Sequence, residues 1–355
     1  MSKFSNFYPS SAGTGFPFTG SAEVTGSVDV TGSVQFGYDN PTTVGGWSAG
    51  GNMISTRNSL AGAGTQTAGL AFGGRTPAIQ NSTEEYNGIA HTWSAAPSNL
   101  IIARYSLAGA GTQTAGLAFG GINTAATEEY NSGTWSAAPA NMIISRYSLA
   151  GAGTQTAGLA FGGRNPAVQP ATEEYNSGTW SAAPANLIIA KVRLGGAGTQ
   201  TAALAFGGHD PGVTNTTEEY NSGTWSAGGN LAIARYNLAG AGTQAAGLAF
   251  GGSPAVGSNS TEEYNGVAQT WSVAGNLIIA RWTLAGAGTQ TAALAFGGAT
   301  PSSTAATEEW GQTPVTPPTT GGAWSVGGNM SIARYFSAGA GTQAAALVFG
   351  GNSGI

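Results

Sequence analysis

The sequence predicts an all-β chain folded as a seven-bladed propeller, with four antiparallel strands in each blade. Three periodic marks carry this prediction. The Gln of a GTQ phrase recurs at Gln66, Gln113, Gln155, Gln200, Gln244, Gln290 and Gln343, at spacings of 42 to 53 residues. A Trp keeps the same beat at Trp47, Trp93, Trp135, Trp180, Trp225, Trp271 and Trp324. A Glu-Glu pair before an aromatic begins at Glu84, Glu128, Glu173, Glu218, Glu262 and Glu308, in six copies only. A period of forty to fifty residues belongs to propellers and solenoids.

Residues 103–139 show what one period should build. The first strand is expected over 106–111 and the second over 115–119, closed by Gly120-Gly121. The third is expected over 127–131 and the fourth over 134–137. Each is bounded by glycine or by Asn/Ser/Gly turn chemistry. Asn131-Ser132-Gly133 suits a tight hairpin, with the glycine at positive φ. Helix is the rival reading, and glycine defeats it. Gly109, Gly111, Gly116, Gly120 and Gly121 would each cost up to ~1 kcal/mol inside a helix. The Ala-Gly-Ala-Gly strand is placed innermost, where strands crowd and side chains must be small. The aromatic residues fall further out, between blades.

The two ends predict how the ring closes. After Gln343 the chain runs AAALVFGGNSGI, enough for a second strand and no more. Residues 33–50 are therefore expected to supply the third and fourth strands of a seventh blade. This divides the chain into an arm, 1–32, and a propeller, 33–355.

Composition narrows the function. Charged residues are 8% of the chain against a usual share of about 25%. The net charge of −5 argues against a nucleic-acid partner, which needs a basic surface. There is no Cys, so neither disulfides nor thiolate metal sites are expected. No apolar run reaches membrane-spanning length, and no membrane insertion is expected. The start, MSKFSNFYPS, shows no apolar leader.

The order Gly120-Gly121, Tyr130, Trp135, Arg146 resembles the kelch motif, in phase over residues 33–355. The wording GTQTAGLAFGG…TEEYNSGTWS is also similar to repeats of kelch-like phage proteins, which the resemblance implies are virion or tail-appendage proteins. Trp310 departs from the pattern by replacing Tyr, and a Pro/Thr insertion follows it. Kelch propellers include galactose oxidase, whose copper site resembles a Tyr, His and crosslinked Cys constellation. This chain has no Cys and only His91 and His209, so no metal and no cofactor is expected. Sialidase propellers carry Asp-boxes; the turn NSGTW has no Asp, and no cluster of three Arg stands out.

The repeated polar residues read as scaffold. The Gly-x-Gly of GAGTQ lacks the Lys and the strand-then-helix context of a phosphate loop. Twelve of the 16 acids lie in the six Glu pairs. Seven of the 11 basic residues share one slot: Arg57, Arg104, Arg146, Lys191, Arg235, Arg281 and Arg334. Ion pairs between strands or blades are expected. On that reading Glu129→Ala would leave an Arg without its partner.

Recognition is then expected where the copies differ. The loops between second and third strands carry Arg75, Arg164, His209 and Asp210 as candidate binding residues. The insertion at 311–323 adds Gln312, Thr313, Thr316 and Thr319. In the arm, Phe4, Phe7, Tyr8, Phe16 and Phe18 are candidates for docking to a larger assembly. The resulting expectation is a non-enzymatic phage appendage on the virion surface. Its arm docks to other virion proteins, and a propeller face binds a host glycan or protein. Homo-oligomerisation is a further expectation. A glycan-active hydrolase, which would need an acid such as Asp210, and a bacterial extracellular adhesin are the alternatives.

Overall fold

The computed structural model describes residues 43–209, 211–253, 257–314, 335–342 and 345–352. Among them are six four-stranded antiparallel sheets, so the propeller has six blades and not seven. Blade two shows the pattern, with strands Ala108–Gly111, Ala115–Phe119, Thr127–Asn131 and Thr134–Ala137. The expected strands match these to within two residues. Ser132 (φ 42°) and Gly133 (φ 106°) form the two-residue turn between the third and fourth strands. Both have positive φ, the geometry that matches the twist of a hairpin.

The blade count follows from the third strand. It carries the Thr, the two Glu and the aromatic on which contacts from neighbouring segments converge, and the sequence holds six copies of it. The seventh phrase forms only a hairpin, Tyr335–Thr342 with Ala345–Asn352, which pairs with itself. The segment expected to give the third and fourth strands of a seventh blade instead gives the outer strand of blade six. Thr43–Ala49 lies antiparallel to Thr307–Pro314 as the outer strand of blade six, with Trp47 opposite Trp310. Residues 33–42 of the expected closing segment lie outside the described residues, as does the boundary at residue 32.

The axis itself counts to six. Ser59, Ser106, Ser148, Arg193, Asn237 and Thr283 each donate a backbone N–H to the carbonyl of the previous member, at 2.8–2.9 Å, and Ser59 returns to Thr283. All six have φ between 53° and 59°, which turns the amide toward its neighbour. No seventh residue fits into this closed circle.

The small innermost residues have the expected cause. A Cβ on Gly109 would lie 2.5 Å from Phe72 Cζ and 2.9 Å from the Gly62 carbonyl of the neighbouring inner strand. Further out, each outer-strand Trp is packed between two blades. Trp135 sits 5.1 Å from Phe72 in blade one and 5.0 Å from Tyr130 in its own sheet. Its indole N–H reaches back to Thr83 of blade one at 2.9 Å. The same latch recurs from Trp47 to Thr261, Trp93 to Thr307, Trp180 to Thr127, Trp225 to Thr172 and Trp271 to Thr217. Burying a large aromatic in such a joint contributes roughly 2–3 kcal/mol.

At the seam, Trp47 lies 4.9 Å from Phe250 and 5.4 Å from Trp310. Trp47→Ala should lower stability to chemical denaturation by about 3–5 kcal/mol. A shift of that size in the urea midpoint would identify this strand as a closing member of the ring.

Candidate functional site

The repeated polar residues are consumed by the scaffold. Arg104 is fully buried on the segment entering blade two, and its Nη2 is 3.0 Å from Glu128 Oε1. Its guanidinium also donates to the carbonyls of Gly120 (3.1 Å), Ala126 (2.5 Å) and Ala118 (3.3 Å). Glu128 in turn accepts the backbone N–H groups of Ile101 (2.6 Å) and Ile102 (3.3 Å). The pairs Arg57–Glu84, Arg146–Glu173, Lys191–Glu218, Arg235–Glu262 and Arg281–Glu308 repeat this, at 2.9–3.0 Å. Each clamps an incoming connection to its own blade. Desolvation lowers Arg104 to about 10 against the pull of Glu128, so it stays charged at neutral pH. In the five Arg copies Nε has no acceptor. Pairs this dry and this incompletely satisfied set register more than they add net stability. Arg334, the seventh cation of the slot, lies outside the described residues.

The second Glu of each pair has a different partner from the one expected. Glu129 accepts the phenol of Tyr175 from the next blade at 2.5 Å. Glu85 takes Tyr130, Glu174 takes Tyr220, Glu219 takes Tyr264, and Glu309 takes Tyr86. Burial, and then the carboxylate, push these phenols well above their ordinary range, so each keeps its proton and donates it. The Gln of GTQ completes the joint. Gln113 donates to the carbonyl of Tyr86 at 2.8 Å, and its counterparts make the same bond around the ring.

The copies diverge at the axial mouth on the face that carries the loops between second and third strands. A cavity of about 570 Å³ opens there. It is lined by Tyr105, Tyr147, Tyr236, Trp282, Arg75 and Arg193, together with Ser and Asn groups. The aromatic rings are half-buried, each presenting an edge or face to the opening. Arg75 stacks on Tyr105 at 4.8 Å, Arg164 on Tyr147 at 5.9 Å and Arg193 on Tyr236 at 5.7 Å. Among the described residues no carboxylate pairs with any of these three guanidinium groups. The connections between blades also carry exposed isoleucines, among them Ile101, Ile143, Ile188 and Ile278.

The predicted site residues divide accordingly. Arg75 lines the mouth, and Arg164 stands beside it over the ring of Tyr147. His209 joins them, its ring 5.7 Å from that of Tyr236. Gln312 donates its amide to Glu263 Oε1 at 2.8 Å, the role a Tyr phenol plays elsewhere and Trp310 cannot fill. Thr313 is in the strand paired with the N-terminal strand, opposite Val44. Asp210, Thr316, Thr319 and the arm residues Phe4, Phe7, Tyr8, Phe16 and Phe18 lie outside the described residues. His91 pairs with Glu309 at 2.7 Å, away from the mouth.

Sequence reasoning missed Arg193 and the four aromatic residues. A signal was present. Two places beyond each buried cation stand Ser59, Ser106, Ser148, Asn237 and Thr283, but Arg193 in the fourth copy. Among the described residues no group of three His, Cys, Asp or Glu could hold a metal ion. Compared with known proteins, the chain matches no protein-family model, and a search of curated proteins finds no match.

The two carboxylates of a pair should respond differently to removal. Glu128→Gln leaves a buried guanidinium unpaired and should cost about 3–5 kcal/mol. Glu129→Ala leaves only the Tyr175 hydroxyl without its acceptor and should cost about 1–3 kcal/mol. Urea unfolding of the two variants side by side checks the order.

Proposed function

We propose that the chain is a non-enzymatic attachment protein of a virus particle, with a kelch-type propeller as its recognition head. The arm would dock to the particle, and the loop face would meet the host surface. One observation carries the recognition role. The conserved-looking polar groups of the repeat are spent on holding blades together, while the copy-to-copy differences converge on an open, aromatic-lined axial cavity. A cavity of about 570 Å³ is of the size that holds small ligands. The exposed isoleucines of the connections add apolar surface.

The non-enzymatic part rests on the use of the acids. All twelve Glu of the pairs are drawn into blade contacts or lie in the strands that make them. The loops and connections of the mouth face contain one acid in the sequence, Asp210. Hydrolysis of a glycosidic bond ordinarily uses two carboxyl groups, and this face does not offer a pair. The kelch-type reading draws on the positive-φ Gly120-Gly121, on Tyr130 and Trp135 in the joint, and on the buried Arg146. The particle reading draws on the aromatic arm and the wording of the repeat alone.

Two measurements test the proposal. Mass spectrometry of particles purified from the source culture should find this chain at a fixed copy number; its absence from particles would remove the virion role. A labelled propeller applied to a glycan array should be retained without releasing sugar. Tyr147→Ala combined with Trp282→Ala should reduce that retention at least tenfold.

A further inference from the structure

Within the binding role just proposed, on which this inference rests, we infer that the axial mouth takes a negatively charged sugar residue, its ring against the aromatic collar and its acid group on Arg193. The argument begins with charge. The chain carries a net charge of −5, but its charges are not evenly placed. Six basic residues cancel six Glu in the buried pairs. The remaining basic residues of the six blades are Arg75, Arg164 and Arg193, and all three stack on Tyr rings at or beside the mouth. Against these three positive charges the sequence of the loops and connections on this face sets one acid, Asp210, leaving +2. The second Glu of each pair is turned to the joints between blades instead.

Arg193 is the residue that makes the site specific. It stands in the circle of six at the axis, where the other five positions are Ser, Ser, Ser, Asn and Thr. Its side chain is exposed and lines both the mouth and the narrower cavity of about 90 Å³ beneath it. Its guanidinium lies over the Tyr236 ring at 5.7 Å, and among the described residues no hydrogen bond occupies its N–H groups. A planar fork of donors of this kind binds a carboxylate or sulfate through two parallel hydrogen bonds. The half-buried rings of Tyr105, Tyr147 and Trp282 give flat apolar surface for the C–H face of a pyranose. Ser59, Ser106, Ser148, Asn237 and Thr283 supply the hydroxyl and amide partners that sugar hydroxyls need. A long polyanion is disfavoured, because the acids of the joints surround the basic centre and the net charge opposes it. The mouth therefore favours a compact, singly charged unit over a nucleic acid.

The test uses the full chain and four probes: a galacturonate disaccharide, neutral digalactose, sodium sulfate and tetraglutamate. Isothermal titration should show the galacturonide binding at least tenfold more tightly than each of the other three, and weakening as salt is raised. Arg193→Ser installs the residue found at 106 and 148, so the fold should tolerate it. That variant should lose tenfold or more in affinity for the galacturonide with little change toward digalactose. Arg75→Ile, which copies Ile122, should lose less. Equal binding of charged and neutral sugars, preference for tetraglutamate or free sulfate, or an Arg193→Ser variant with unchanged affinity and an unchanged melting temperature would each overturn the inference. If Arg193→Ser still adheres to the glycan array as wild type does, the acid-sugar assignment falls while the recognition role stands.

Discussion

Everything in this molecule hangs on the third strand of each blade. Its Thr receives the indole of the next blade, its first Glu clamps a buried cation, its second Glu holds a phenol from the next blade, and its aromatic residue fills the joint. An isolated four-stranded sheet of Ala, Gly and Thr has too little side-chain volume to form a core of its own. The blades are stable because each lends its polar and aromatic groups to its neighbours, so the ring is the folding unit. Low charge and high glycine content follow directly. Glycine is needed where inner strands approach each other, and the fully buried cations are each neutralised by a Glu of the same blade.

That dependence explains what was legible in the sequence and what was not. Strand positions were readable, because glycine punctuates them and the Ser132-Gly133 turn has its own chemistry. That an N-terminal strand carrying Trp47 joins the C-terminal side of the ring was readable, but the blade it joins was not. The number of blades was misjudged, because Gln and Trp count seven while the limiting strand counts six. A blade can borrow an outer strand from elsewhere in the chain, since little beyond one Trp is asked of it. It cannot borrow a third strand without the Thr, Glu and Tyr that the neighbours require. The partner of each Glu was also hidden. Two adjacent residues on a strand face opposite ways, so the pair serves two joints, and linear spacing does not tell which member meets the cation.

The mouth was half visible. Arg75 and Arg164 stand in variable loops, where variation draws the eye. Arg193 and the aromatic collar lie in connections that look repetitive, and only superposing the six copies isolates them. Symmetry here works as a background against which single substitutions become informative: Lys for Arg at 191 is absorbed by the same Glu, whereas Arg for Ser at 193 places a charge on the axis of the ring. The same logic explains Gln312, which repairs the joint that Trp310 alters.

Trp310 has one more effect. Its indole occupies the space above Gly45, where a Cβ would stand 1.9 Å from Cζ2. Five sheets complete their outer edge with a strand that follows directly in the chain, and the sixth takes its outer strand from the far end of the chain. Its third strand carries a bicyclic ring where the other third strands carry Tyr, and the incoming strand has glycine where that ring lies. The molecule thereby labels its own starting point, and a circle of near-copies acquires an unambiguous place to begin and end.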